Sequence, residues 1–427
     1  MTDVDVVVCG AGVGGLAAAH TLSRSGLDVL LLDRRAEPAD VPKGELLQPE
    51  SVQILDQLGA LPALHAGGAV GVDRLAIRDP AGRMLLPVAY TDLPGAYRQI
   101  LCTGYRSVLD ALAGVLPGTV TVRRGVLVTG VRRTPDGRVD GVTVRDGGTD
   151  REITARLVVA ADGVSSKLRE AVGLDLHRRP YDHRLVAFDV AAPPVDAEVC
   201  AYLTDRGLRL VYPLPGGRSR VYVQIRPDDL RDGTMADLDG WCDGLLAEVP
   251  ALGPLAGPLR DSLPTRQALT VHRLRAPRLT VPGLALVGEA AHAVHPMAAQ
   301  GINSSLADAW TLGERIAAAG PDPAGLDAAL DDYQRTRLAR LDHTATVSHN
   351  AARMLTTTGG LARLLGRRMM RHTAGNRRLL RLTAGNLAGV DLRPLRPVDR
   401  LYQFGLLTDR RADAVGTQPT MNEGATS

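Results

Sequence analysis

The stretch from Val4 to Arg35 limits what this chain can fold into more than any other. Residues 4–9 (VDVVVC) are an apolar run long enough for a buried strand and too short for a helix. The run breaks at Gly10-Ala11-Gly12-Val13-Gly14-Gly15, which satisfies G-x-G-x-x-G with glycines at 10, 12 and 15. Residues 16–25 follow, small and apolar on a helical period, and Gly26 closes them as a helix C-cap. A second apolar run, residues 27–32, ends on Asp33. The order predicts strand, tight turn, helix and parallel strand.

Each part would have a task in holding a dinucleotide, the other reading being a structural strand–helix–strand unit with no ligand. Gly10 allows the tight turn, and Gly12 lets a pyrophosphate come against bare backbone. Gly15 lets the helix pack close to the strand, so that its N-terminal amides and dipole face the anion. Asp33 lies about 20 residues on, where a carboxylate accepts the hydroxyls of an adenosine ribose.

At 427 residues the chain is longer than one ordinary domain, and 45% hydrophobic content supplies a core. A net charge of +3 argues against nucleic acid as the main partner. Lys43 and Lys167 are the only lysines beside many arginines. The four cysteines, at 9, 102, 200 and 242, have no C-x-x-C spacing and suggest neither a disulfide framework nor a zinc site. The first strand begins almost at once, leaving no room for a signal peptide, and no apolar run approaches the ~20 residues of a membrane span. A cytoplasmic protein is expected.

Further along, residues 49–58 predict a helix and residues 75–89 a hairpin around Asp79-Pro80-Ala81-Gly82. A helix is expected around Arg106, and three alternating segments between residues 120 and 145 predict a small antiparallel piece. The second landmark is an apolar strand, residues 157–161, running into Asp162-Gly163 and a short helix with Lys167 and Arg169. It is either a simple turn or a second phosphate or ribose contact. Strands flank Pro215-Gly216-Gly217, and residues 235–248 predict a helix. The third landmark follows the strand at 284–287: Gly288-Glu289-Ala290-Ala291-His292, then His295-Pro296 and Gly301-Ile302-Asn303. A helix is expected from Asn303 or Ser304 to about Ala319, its start facing negative charge. His292 and His295 have no third ligand at suitable spacing, so no metal is expected. Beyond Ala351 the chain is basic and leucine-rich, predicting a helix packed on the body with its arginines solvated, with a membrane-surface or partner role as the other reading. Disorder is expected after about Arg411.

These three ordered landmarks resemble the FAD-dependent aromatic hydroxylases, single-component flavoprotein monooxygenases that include the 4-hydroxybenzoate and ubiquinone-pathway hydroxylases. The resemblance covers roughly residues 1–340. It implies an α/β architecture: a Rossmann-like FAD-binding domain (1–72, 98–180 and 275–350), an interleaved mixed β-sheet substrate domain (73–97 and 181–274), and a C-terminal helical segment and tail (351–427). By position, Gly10, Gly12, Gly14, Gly15, Asp33 and Arg34 would hold the ADP half of non-covalent FAD, and Arg106 its linker. Asp162 and Gly163 fall on a motif used for both FAD and the nicotinamide cofactor. Glu289 would meet the ribityl chain, Pro296 the flavin edge with His292 behind it, and Gly301, Ile302 and Asn303 the pyrimidine side. Glu289 stands in place of the usual aspartate, Ala298 and Ala299 in place of glycines, and Pro42-Lys43 in place of an arginine. Gly44-Glu45-Leu46-Leu47-Gln48-Pro49 also resembles the squalene epoxidases.

The resemblance implies reduction of FAD by NADPH or NADH, then oxygen transfer from a C4a-hydroperoxyflavin, the cofactor carrying the chemistry and the protein giving orientation and shelter. Benzoate-type members hold the substrate carboxylate with an arginine on the sheet. The hairpin here, residues 210–217, has no arginine on its inner positions, and Arg220 matches one that the family places by the flavin. A bulky, neutral, electron-rich aromatic is therefore expected, lined by Tyr202, Tyr212 and Tyr222, with secondary metabolism as the setting and a monomer or homodimer as the assembly. The other readings are an epoxidase or reductase of an isoprenoid-type chain, and a flavin-free ligand-binding relative.

Overall fold

The first two apolar runs become β1 (Val4–Cys9) and β2 (Val29–Asp33), parallel neighbours joined by helix α1 (Val13–Ser23). A computed structural model describes residues 3–413 except 42, 44, 228, 230–234, 320 and 321. Pro42, Gly44 and the tail beyond residue 413 therefore lie outside the described residues. Every residue of α1 is buried, as a helix apolar on all sides requires. It packs on the Gly301–Ala319 helix, where Thr21 Oγ1 donates to the Ala309 carbonyl at 3.0 Å. A Cβ on Gly313 would stand 2.5 Å from Thr21 Cβ, so this glycine sets how closely the two helices approach.

The first sheet runs Thr280–Val281, Leu284–Leu286, Thr149–Ala160, β1, β2, Val120–Arg124. Its centre is parallel, and ligands of such sheets bind beyond the carboxyl ends of the strands. Residues 149–154 of the long strand pair antiparallel with Val139–Asp146, which pairs with Leu127–Arg133, while residues 155–160 run parallel to β1. The expected antiparallel piece thus loses Val120–Arg124, which extends the parallel sheet beside β2 instead. Period-two alternation marks a half-exposed strand without saying which neighbour it takes.

The second sheet is mixed and eight-stranded, in the order His292–Ala293, Gln267–Arg275, His177–Val190, Arg218–Ile225, Gly207–Leu214, Val199–Thr204, Arg74–Arg78, Met84–Ala89. One face packs on the Met235–Glu248 helix through Phe188, Val221 and Cys242. The other carries Leu185, Leu210, Tyr212 and Tyr222, together with Met297 from the 288–303 loop. The Gly360–Ala374 and Arg377–Ala388 helices close this second layer through Met370, Ala384 and Leu387.

The domain cuts at 180/181, 274/275 and 350/351 fall inside continuous elements, the last within the Pro323–Thr356 helix. The C-terminal helices do pack on the body, but Leu361, Leu364 and Leu365 lie in solvent beside the arginines. Each such leucine forgoes part of the about 1.5–3 kcal/mol that full burial supplies.

Candidate active site

Gly10 sits at φ +109°, and Gly15 lies so near the Gly10 carbonyl that a Cβ would fall 1.8 Å from its oxygen. Gly12 differs. It is the N-cap of α1, in extended geometry, and a Cβ there would meet only the Tyr105 hydroxyl at 3.6 Å. Gly14 faces Val287 and Ser305, so it serves packing. Asp33 ends β2 with Oδ2 accepting the Ala11 N–H at 2.6 Å and Oδ1 accepting the Arg35 N–H at 2.7 Å. Its carboxylate is thereby aimed at the glycine turn. Arg34 is exposed. Arg106 folds back on Asp110 (2.8 Å) rather than toward the turn, and Tyr105, its neighbour, is the side chain that reaches Gly12.

The Asp-Gly segment enters from the adjacent strand. Asp162 Oδ2 accepts the Lys167 N–H at 2.9 Å, while Oδ1 is buried without a partner. Gly163 turns at φ +89°. Lys167 pairs with Glu170 at the surface, but Arg169 is 4% exposed and donates to the carbonyls of Ala290 (2.9 Å) and Val164 (3.3 Å). Arg169 therefore ties the Asp-Gly turn to the Glu289 loop. Glu289 pairs with Lys43 at 3.1 Å, and the Lys43 ammonium stands 5.3 Å over the Tyr105 ring. Both charged groups are more than 40% exposed, so this pair adds at most ~1 kcal/mol. It bridges the loops on either side of the α1 N-terminus.

His292 is held by a group that sequence patterning passed over. Its Nε2 lies 2.6 Å from Asp308 Oδ2, which also accepts the Gly288 N–H at 3.0 Å. Asp308 Oδ1 meets Arg337 at 2.7 Å, and both of those side chains are essentially fully buried. Burial alone would raise the Asp308 carboxyl, but the charges of His292 and Arg337, with hydrogen bonds from His292 and the Gly288 N–H, hold it below the usual range. One signal for Asp308 was present: a charged residue beside Leu306, Ala309 and Leu312 on a buried helical face. None pointed to Arg337.

His295 goes elsewhere. Its Nδ1 accepts the Met297 N–H (3.2 Å), so the ring proton sits on Nε2 and is donated to His183 Nε2 at 3.0 Å. Burial, then His183 and His349, push His295 down to about 3, so it is neutral near pH 7. Tyr181 packs edge-on against His295 with centroids 4.7 Å apart. Ser348 donates to the His295 carbonyl at 3.1 Å. These contacts clamp the loop just before Pro296.

Ala299 is the one non-glycine with positive φ (+50°) among the described residues. The helix then begins at Gly301, earlier than expected. Asn303 does not cap it. Asn303 Oδ1 accepts the Gln48 N–H (2.9 Å) and Nδ2 donates to the Leu46 carbonyl (3.2 Å), which fastens the 45–49 stretch to the helix start. The first-turn N–H groups of Gly301, Ile302 and Asn303 are the donors a helix start leaves free of intrahelical partners. Ala299→Val should cost about 2 kcal/mol, because a β-branched residue is poorly tolerated there. Ala299→Gly should be tolerated. Urea midpoints of the two variants check this.

On the sheet above, Glu45 is 4% exposed and organises the face. It accepts from the Tyr212 hydroxyl (2.8 Å) and from Arg220 Nε (2.9 Å) and Nη2 (2.7 Å). Tyr222 stacks obliquely near Tyr212, with centroids 6.2 Å apart. Tyr202 is a correction: strand parity turns it to the opposite face, with Cys200 and Val211.

Do these residues fit a dinucleotide flavin? The open cradle at Gly12, the partnerless Asp162 Oδ1 and the Asp33 carboxylate at the strand end are complementary to a pyrophosphate and hydroxyl-bearing chain. A Rossmann-type cradle and a helix-start loop beneath a mixed second sheet fit the class of nucleotide-dependent oxidoreductases. The FAD binding domain family matches residues 3–348, and the chain belongs to it. Ubiquinone hydroxylase UbiL of Rhodospirillum rubrum is 29% identical over 78% of this chain and 77% of that protein. The 6-methylpretetramide 4-monooxygenase of Streptomyces rimosus is 30% identical over 71% and 73%. The crystal structure of pqsL, a probable FAD-dependent monooxygenase from Pseudomonas aeruginosa, superposes with a TM-score of 0.73 at 25% identity, over 82% of this chain and 96% of that one. The chain is an enzyme of the FAD-dependent monooxygenase type.

Proposed function

We propose that the enzyme hydroxylates a neutral, bulky, electron-rich aromatic at the expense of NADPH or NADH, in the cytoplasm and in secondary metabolism. Gly10 to Gly15 and the α1 N-terminus take the FAD pyrophosphate and Asp33 the adenosine ribose, without a covalent link. Asp162, Gly163 and Glu289 hold the middle of the cofactor. Pro296 borders the flavin edge, and the amides of Gly301 to Asn303 face its pyrimidine side. Bound there, FAD supplies electron transfer and oxygen activation. The residues of the chain orient it, donate hydrogen bonds where negative charge develops, and exclude water. The relative from Streptomyces rimosus supports the metabolic setting.

The observation that carries the substrate class is the engagement of Arg220. Arg220 is 6% exposed and its guanidinium is bound through two nitrogens to Glu45, so its charge is already neutralised. A benzoate brought to this face would leave a desolvated carboxylate without a counter-charge, at a cost of several kcal/mol. Leu210, Leu214, Tyr212 and Tyr222 instead offer apolar area, which would hold a polycyclic phenol at about 25 cal/mol per Å2 buried.

Polycyclic phenols are expected to stimulate NAD(P)H oxidation in air with hydroxylated product, while 4-hydroxybenzoate and salicylate yield little product. Glu45→Gln should lower the KM for benzoates by freeing Arg220. Coupled hydroxylation of 4-hydroxybenzoate with no turnover of polycyclic phenols by the unaltered enzyme would refute the reading. The second reading, an epoxidase of an isoprenoid-type chain, is supported by the position of Glu45 and Leu46 on the same face. An epoxide product from a polyprenyl substrate would favour it.

A further inference from the structure

The C-terminal helices leave an apolar edge in water. On the Gly360–Ala374 helix, Leu361, Leu364 and Leu365 share one side and are 73%, 66% and 42% exposed. Further along that helix, Arg368 Nε donates to the Phe404 carbonyl at 2.7 Å, and Gly405 packs against the His372 ring. Leu406 and Leu407, 64% and 51% exposed, follow at that end. Solvent-exposed leucines gathered in this way mark a surface that something covers.

Charge says what covers it. Residues 360–411 contain twelve arginines, three aspartates and no lysine or glutamate. The aspartates are used internally: Asp391 by Arg393, and Asp399 and Asp409 by Arg378. Arg363 is engaged by Asp205, and Arg411 also meets Asp409, so eight of the twelve arginines have no ion pair among the described residues. The whole chain is only +3, so the remainder is net negative and the positive charge is concentrated at this end. A second copy docking through the same edge would press two positive poles together, because a two-fold contact sets like patches against each other.

We propose that this edge docks on an anionic lipid surface, with the leucines entering the interface and the arginines meeting headgroup phosphates. An apolar stripe flanked by arginines is the composition of interfacial helices, and each arginine near an anionic surface raises partitioning about fivefold. The same helices cover the substrate-facing layer of the second sheet through Met370, Ala384 and Leu387. An apolar substrate dissolved in lipid would thus enter beside the site. The docking itself does not depend on the substrate reading.

The test sediments the full chain with phosphatidylcholine vesicles containing about 30 mol% phosphatidylglycerol, with pure phosphatidylcholine vesicles as reference. Binding is expected to the anionic vesicles only and should weaken with salt. The L361S/L364S/L365S variant should lose about tenfold or more in affinity. These leucines are exposed, so flavin content should stay normal in that variant. Failure to sediment with anionic vesicles would overturn the proposal. So would equal binding by the triple variant, which would mean adsorption by charge alone. A wild-type dimer in light scattering that the triple variant turns into monomer would assign the edge to a second copy instead.

Discussion

Gly12→Asp is expected to purify folded and colourless. Gly12 has extended backbone geometry, which any residue adopts, and a Cβ there would meet nothing nearer than the Tyr105 hydroxyl at 3.6 Å. An aspartate at the N-cap should stabilise α1 by a few tenths of a kcal/mol, since its carboxylate accepts first-turn amides. The same carboxylate would stand in the proposed pyrophosphate site. Two like charges ~4 Å apart near a protein surface cost about 4 kcal/mol, roughly a thousandfold in affinity. Flavin absorbance per protein and a titration of the apoprotein with FAD measure the loss, and a denaturant curve confirms the fold. Full flavin occupancy in a folded variant would remove the N-terminal unit from the cofactor site. Gly15 offers no such test, because a side chain there collides with the Gly10 carbonyl.

Asp308→Ala should be the most destabilising single change at the site. It leaves Arg337, 1% exposed, as an unpaired buried cation, and it frees His292 and the Gly288 amide together. Removing one partner of such a group costs about 3–5 kcal/mol. The drop in urea midpoint measures it. Adding Arg337→Met should recover part of the loss, since no buried charge then remains. Acid should act through the same carboxylate. Because the Asp308 pKa is lowered in the fold, its contribution is complete above the ordinary carboxylate pKa of about 4 and is lost as pH falls through the lowered value. Asp308→Ala should accordingly show a flatter stability profile at acid pH than the unaltered chain. A loss under about 1 kcal/mol would mean that water reaches Arg337 and that the group is not a buried ion pair.

How much of this was readable beforehand depended on range. The helix predicted over residues 235–248 forms as Met235–Glu248, because apolar period and chain-breaking neighbours are local. The β1–α1–β2 unit formed for the same reason, its glycines and its terminal acid lying within 33 residues of the start. Strand parity was a harder case. Tyr202 and Tyr212 look equivalent in sequence, yet the hairpin register sends them to opposite faces of the sheet. The helix start moved to Gly301 because Asn303 spends its side chain on Leu46 and Gln48, more than 250 residues away.

What the sequence determined by itself was therefore the part whose physics is written in neighbours: a parallel dinucleotide-type unit, an Asp-Gly turn, a helix-start loop and their order. Tertiary structure decided the rest. It joined Glu45 to Arg220 across 175 residues and His183 to His295 across 112, and it set Asp308 against Arg337 on separate helices. Each of these is a buried polar group that must find a partner once water is removed. Which partner it finds is fixed by how sheets and helices stack, a property that no local pattern of residues carries.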